Sequence, residues 1–169
     1  KVEVLTPDLH GKAELIKLIL DANPDVIGHN IETVRRISPA LRPRSDYARS
    51  LGVLATARAA GTGALIKSGL MVGLGETDEE VLGTLNELKD AGCDVVTIGQ
   101  YLAPAASGRH VPVHRYVAPE VFDRYREGGM SLGIGLVFAG PLVRSSYLAE
   151  KCYEDVLSSK GKRTHDRKS

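Results

Sequence analysis

The stretch His29-Asn30-Ile31-Glu32-Thr33 sets an amide and a carboxylate two residues apart, directly after the short apolar run Val26-Ile27-Gly28. In an extended strand exit Asn30 and Glu32 would point to the same side. Such a pair is suited to adjacent hydroxyls, as on a ribose, because each can engage a hydroxyl hydrogen bond. Capping of the following turn is the competing use of the same residues. His29 would face the opposite side, where a structural hydrogen bond is its expected role. Arg49, early in a helical stretch, offers a planar fork for a carboxylate, with a solvated helix face as the alternative. Gly73 and Gly75 would let the backbone approach a ligand or a neighbouring helix, and Glu76 sits near a positive helix end. This glycine spacing is not the dinucleotide fingerprint, which needs a third glycine and a first-strand position.

Further along, Gln100 and Tyr101 stand at a strand end where they could line a pocket, although Tyr101 could equally be core with a satisfied hydroxyl. The loop 109–116 carries histidine and arginine and reads first as solvated. Ser145 and Ser146 lie between Arg144 and Tyr147. They could cap a helix starting near Leu148, and no nucleophilic triad follows from them alone. Cys93 follows Gly92 and opens a strand, the setting of a buried, inert thiol.

These residues need elements to hold them, and the chain supplies a regular alternation. Val2 to Leu5 reads as a strand, and Leu15, Leu18, Ile19 and Ala22 form a helical stripe that Pro24 ends. A second strand through 25–30 is followed by a helix over 46–60 with Tyr47, Leu51, Leu54 and Ala55 on one face. The run from Ala64 to Leu74 reads as a buried strand, and Thr77 with Glu80 has capping-box spacing. Val81, Leu85 and Leu88 face inward on the helix behind it, which closes at Ala91 and Gly92. The run 94–102 is a strand, Pro119 suits a first helical turn, and 134–140 is a last strand. Gly128 and Gly129 weaken the helix after Pro119 by roughly 1 kcal/mol each relative to alanine. Strands alternating with helices every 30 residues or so predict βα units and a parallel sheet, with chemistry on the loops after the strands.

Composition narrows the classes. The 169 residues are 43% hydrophobic, with 22 basic and 21 acidic residues, so no global field favours nucleic acid or an anionic membrane. Two cysteines far apart, Cys93 and Cys152, fit neither a disulfide framework nor a zinc site. No apolar run approaches membrane-spanning length. Residues 1–157 are expected to form the folded part, and the polar, basic 158–169 a disordered tail.

Taken in order, the segments 2–8, 24–34, 47–51, 67–81, 91–104, 110–123 and 140–147 closely resemble lipoyl synthases, enzymes of the radical S-adenosylmethionine (SAM) class. The resemblance spans residues 1 to about 150, and Arg144-Ser145-Ser146-Tyr147 is its most particular motif. It implies the C-terminal part of a partial (βα)6 TIM-like barrel. It also implies roles: Gly69 to Glu76 beside the adenine, Asn30 and Glu32 on the ribose, Arg49 on the methionyl carboxylate, and Ser146 as an oxygen ligand to an auxiliary cluster. The glycines of the 69–76 stretch would then be there for cofactor approach. A complete relative carries two 4Fe-4S clusters and SAM, and inserts two sulfur atoms into an octanoyl chain borne on a lipoyl carrier domain. Serine oxygen is a poorer iron ligand than thiolate and can leave when cluster sulfur is taken.

The family's cluster motifs, CxxxCxxC and CxxxxC-x5-C, are absent from these residues, so an upstream half is the expected partner and the chain alone is expected to be inactive. Ile66 and the 138–140 run also depart from the usual pattern. The competing expectations are a noncatalytic remnant that binds lipoyl domains and a sulfur-inserting enzyme of biotin synthase type. Cytoplasm is the expected compartment, with mitochondrial matrix or plastid as alternatives.

Overall fold

The computed structural model describes residues 1–104 and 110–146. Five short strands, β1 (Glu3–Leu5), β2 (Val26–Gly28), β3 (Leu65–Val72), β4 (Val95–Gln100) and β5 (Leu136–Gly140), lie parallel in the order β1-β2-β3-β4-β5. Each strand therefore neighbours its predecessor, and the order never reverses. That is the arc of a barrel and not a doubly wound sheet, which has a switch point. The connections run through α1 (Ala13–Asp21), α2 (Ser38–Leu41), α3 (Tyr47–Ala59), α4 (Asp78–Asp90) and α5 (Pro119–Ser131). The parallel α/β sheet expected from the alternation is thus observed, in the partial-barrel form that the resemblance implies. Tyr147, the helix start expected near Leu148, Cys152 and the expected tail at 158–169 lie outside the described residues.

The larger core fills the space between sheet and helices. Ile66, Leu70 and Val72 of β3 and Val96 and Ile98 of β4 meet Val81, Leu85 and Leu88 of α4, all 3% exposed or less. The opposite, concave face carries Val26, Leu65 and Val95 with Leu136 and Phe138 against them. Parallel strands buried on both faces read as continuous apolar runs, which is why β3 and β4 stand out in sequence.

Two helices are rotated somewhat from the faces the spacing suggested, with Ile19 of α1 and Tyr47, Leu51 and Leu54 of α3 still packed on the core. In α1 the buried residues are Ile16 and Leu20, whereas Leu18 is 68% exposed and Leu15 is also exposed. In α3 the buried side is Tyr47, Ser50, Val53, Leu54 and Ala57, and Ala55 faces out. Both helices carry apolar residues around more than one face, so periodicity alone left the rotation open. For α4 the stripe is narrow and its three predicted residues are fully buried. Its capping box is present as well: Thr77 Oγ1 accepts from the Glu80 N–H, and the Glu80 carboxylate accepts from the Thr77 N–H.

The glycines in α5 are contact sites. A Cβ on Gly129 would stand 2.8 Å from Val137 Cγ2, and one on Gly128 would stand 2.6 Å from Leu82 Cδ2. The loss of helix propensity at these positions buys close approach of α5 to β5 and α4.

Candidate functional site

The loops after the strand C-termini gather around a cleft of about 210 Å³. Asn30 and Glu32 enter it from the β2 exit, Gly69 and Met71 from β3, Thr97, Gly99 and Gln100 from β4, and Arg144 and Ser145 from beyond β5. Asn30 and Glu32 do converge, though not by strand alternation. Glu32 has φ 70°, in the left-handed region, and is pinned there by β3: its N–H donates to Gly69 O at 3.0 Å and its carbonyl accepts from the Met71 N–H at 2.8 Å. A non-glycine residue held in this conformation is strained, and such strain gathers at functional positions.

Two glycines let the cleft's walls close up on one another. A Cβ on Gly69 would come within 2.8 Å of Thr97 Oγ1 and 3.0 Å of Asn30 Oδ1, and one on Gly99 would overlap the Val143 carbonyl. Gly69 and Met71 belong to the 69–76 stretch that the resemblance sets beside an adenine, whereas no motif singles out Thr97 and Gly99, although their inward direction follows from the strand register. The small side chains opposite one another on β3 and β4 were the available signal.

Gly73, Gly75 and Glu76 are placed otherwise. They do not line the cleft. Gly73 has φ 99°, and a Cβ there would overlap Gln100 Nε2 and stand 2.6 Å from Arg115 O. Gly75 has φ 102° and faces the His114 ring. The space beside Gly73 is taken by Gln100 and Arg115 and that beside Gly75 by His114, which is the close protein approach that their spacing suggests alongside approach to a ligand. Glu76, 4% exposed, accepts from the Gly73 and Leu74 N–H groups at 2.7 and 2.8 Å and closes the turn.

Arg49 is likewise engaged elsewhere. Its Nε donates to Asp8 Oδ2 at 2.9 Å at the β1 exit, and it is not among the cleft residues. Asp8 is held below the ordinary carboxylate range, first by the His10 N–H and then by Arg49 against the opposing effect of burial. Gln100 spends its amide on the scaffold, donating to Tyr101 O and Arg115 O and accepting from the Val117 N–H. Tyr101 is core, its hydroxyl donating to Val111 O at 2.7 Å. His29 is 2% exposed, with Nδ1 2.9 Å from Thr6 O, and burial pushes its pKa down. Cys93 is a buried thiol pushed up to about 12 by desolvation, as inert as expected. Ser146 is exposed at the rim of a second cavity, treated below.

Against known proteins, the pattern of the Radical SAM superfamily matches residues 1–88, which is 88 of 169 and more than half the chain. The chain belongs to the radical SAM superfamily. Within that superfamily it is similar to lipoyl synthases. The Rubrobacter xylanophilus protein of that name is 51% identical over 154 residues, covering 91% of this chain and 47% of the relative. The Caldicellulosiruptor saccharolyticus protein is 52% identical over 151 residues, covering 89% and 52%. The Pyrobaculum calidifontis protein is 52% identical over 158 residues, covering 93% and 54%. The resemblance read from the motifs is therefore borne out, and the chain spans about half the length of the curated relatives it matches. A solved structure from Burkholderia cenocepacia J2315 covers 80% of this chain and 51% of its own at TM-score 0.51 and 15% identity, a likeness of fold alone.

A radical SAM protein implies a nucleoside cofactor and iron-sulfur clusters, and the described residues suit them unequally. The cleft fits the nucleoside part: a space lined by Gly69, Met71 and Gly99, with an amide and a carboxylate converging at its side. For a cluster, no group of three or more His, Cys, Asp or Glu among the described residues could hold a metal ion. Ser146 is one oxygen donor without companions. No helix among the described residues is long and apolar enough to cross a membrane.

Proposed function

We propose that this chain is the nucleoside-binding part of a lipoyl synthase which, joined to cysteine-bearing upstream polypeptide, replaces two C–H bonds of a carrier-bound octanoyl chain by C–S bonds. The observation that carries the reading is the convergence of Asn30 and Glu32 on the glycine-floored cleft in a chain 51% identical to a lipoyl synthase. The cofactors of the complete protein, SAM and two 4Fe-4S clusters, supply the hydrogen-abstracting radical and the sulfur. This chain's residues bind and orient: Asn30 and Glu32 take the ribose hydroxyls, Gly69 and Gly99 let Asn30, Thr97 and Val143 close around the cleft, and Met71 and Leu102 exclude water beside the base. Arg49 would reach a methionyl carboxylate only by exchanging Asp8 for it. The turn at Gly73, Gly75 and Glu76 would hold the cleft wall from behind, and Ser146 would lend its oxygen to a cluster whose thiolates come from elsewhere. The partners are an octanoylated lipoyl carrier domain and the upstream half, and the compartment is the cytoplasm.

The test is reconstitution. The 169-residue chain is mixed with octanoylated carrier domain, SAM, iron, sulfide and reductant, alone and together with the cysteine-bearing half of a lipoyl synthase, and lipoyl groups are counted by mass spectrometry. Product only in the presence of the second polypeptide supports the reading. Product from the chain alone, or conversion of dethiobiotin in place of the octanoyl group, overturns it.

A further inference from the structure

The concave face of the sheet carries an ion pair between a buried lysine and a half-buried glutamate that the reading above leaves unused. Lys67, 3% exposed, sends its ammonium from β3 across β2 to Glu3 of β1, where Nζ lies 2.8 and 3.0 Å from the two carboxylate oxygens. The reach spans two strand spacings, about 10 Å. Lys67 stands opposite Gly28, which has no side chain to block the path, and Glu3 stands one inward-facing row earlier, opposite Val26, so the lysine crosses β2 beside Gly28 and slants back to reach it. Two residues earlier on the same strands, Val26 and Leu65 pair and are buried with Val95, Leu136 and Phe138 around them. Glu3 stands at the edge of that same apolar row, opposite Val26.

Above it is space. A cavity of about 260 Å³ is lined by Leu5, Gly28, Asn30, Ser145 and Ser146, with Glu3 and Lys67 completing its wall. It shares Asn30 and Ser145 with the nucleoside cleft, so the two spaces adjoin. Chemistry between two reactants requires such adjacency.

We propose that Lys67 and Glu3 form the floor of an acyl-chain site and set the longest chain it accepts. This rests on the reading that an octanoyl chain is the second reactant. A cavity of about 150 Å³ holds a benzene ring. On that scale a space of about 260 Å³ takes about ten carbon-sized groups. A longer chain must press its end against an ammonium already withdrawn from water and cover what remains exposed of its carboxylate partner, and hydrocarbon offers the third ammonium N–H no acceptor. An apolar floor could yield to another methylene. A charged pair held across three strands sets a sharp limit instead.

The experiment titrates N-acyl-lysine amides of six, eight, ten and twelve carbons into the 169-residue chain, saturated with S-adenosylhomocysteine, by calorimetry. Affinity should rise from six to eight carbons and fall at least tenfold by twelve. In the neutral double variants E3Q/K67M and E3Q/K67Q, each checked for folding by circular dichroism, the twelve-carbon ligand should bind at least as tightly as the eight-carbon one. Wild-type affinity climbing through twelve carbons by about fourfold per methylene overturns the floor and leaves the octanoyl reading standing. A length limit unchanged in the folded variants overturns the assignment to Lys67 and Glu3. No acyl binding by a chain that still binds S-adenosylhomocysteine overturns the acyl site and spares the nucleoside cleft. The wild-type profile decides the matter even if neither variant folds.

Discussion

Glu76 bonds back onto Gly73: a buried carboxylate accepts that residue's N–H at 2.7 Å and the next one, Leu74, at 2.8 Å. The pairing makes the β3 exit a closed turn whose charge is spent inside the protein, with Arg115 at 3.8 Å as the nearest cation. An acidic residue that looked like the start of a helix is the clasp of the loop before it.

Replacing Glu76 should therefore cost stability. Glu76→Ala leaves two backbone N–H groups without their acceptor, at about 1–3 kcal/mol each. Glu76→Gln keeps one acceptor oxygen and should cost less. Urea unfolding followed by circular dichroism measures both. Equal midpoints for wild type and Glu76→Ala would show that the clasp carries no energy.

The glycines divide by what surrounds them. Gly73→Ala and Gly63→Ala both place a methyl at positive φ, 99° and 83°, a strain of about 1–2 kcal/mol. Only at Gly73 does the methyl also overlap Gln100 and crowd Arg115; at Gly63 nothing lies within 4 Å. Thermal melts should show Gly63→Ala mildly destabilised and Gly73→Ala severely so. Similar losses at the two positions would contradict the close approach of the 110–117 loop.

Cys93 supplies a pH signature. Burial raises the thiol from its ordinary value to about 12, so the native state holds its proton where the unfolded chain has lost it. The resulting stabilisation is complete below about pH 8.5, the unfolded thiol's range, and is lost as pH rises toward 12. Iodoacetamide at pH 8 should leave Cys93 unlabelled in the folded chain and label it in urea, as read by peptide mass. Rapid native labelling would mean that the thiol is accessible.

How far the sequence disclosed this molecule follows from the range of each interaction. The capping box of Thr77 and Glu80 was legible because its partners are three residues apart, and the stripe of Val81, Leu85 and Leu88 because α4 is polar elsewhere. The parallel strands showed through their apolar runs. Asn30 and Glu32 were recognisable as a pair, but the backbone that aims Glu32 is imposed by Gly69 and Met71, nearly forty residues away in sequence. The same distance hid the role of Gly73, which depends on Gln100 and Arg115, and the Arg49 pairing with Asp8. The Lys67 bridge to Glu3 crosses three strands and has no local sign at all.

The central claim is that Asn30 and Glu32 hold the hydroxyls of a nucleoside in this cleft. Calorimetric titration of S-adenosylhomocysteine into the folded chain tests it without any cluster, with Asn30→Ala and Glu32→Gln beside the wild type. The account predicts saturable binding by the wild type and at least a tenfold loss in Glu32→Gln, since a hydrogen bond to a charged group contributes about 1.5–3 kcal/mol, with a smaller loss in Asn30→Ala. Binding of equal strength in all three proteins, or none in the wild type, would contradict it.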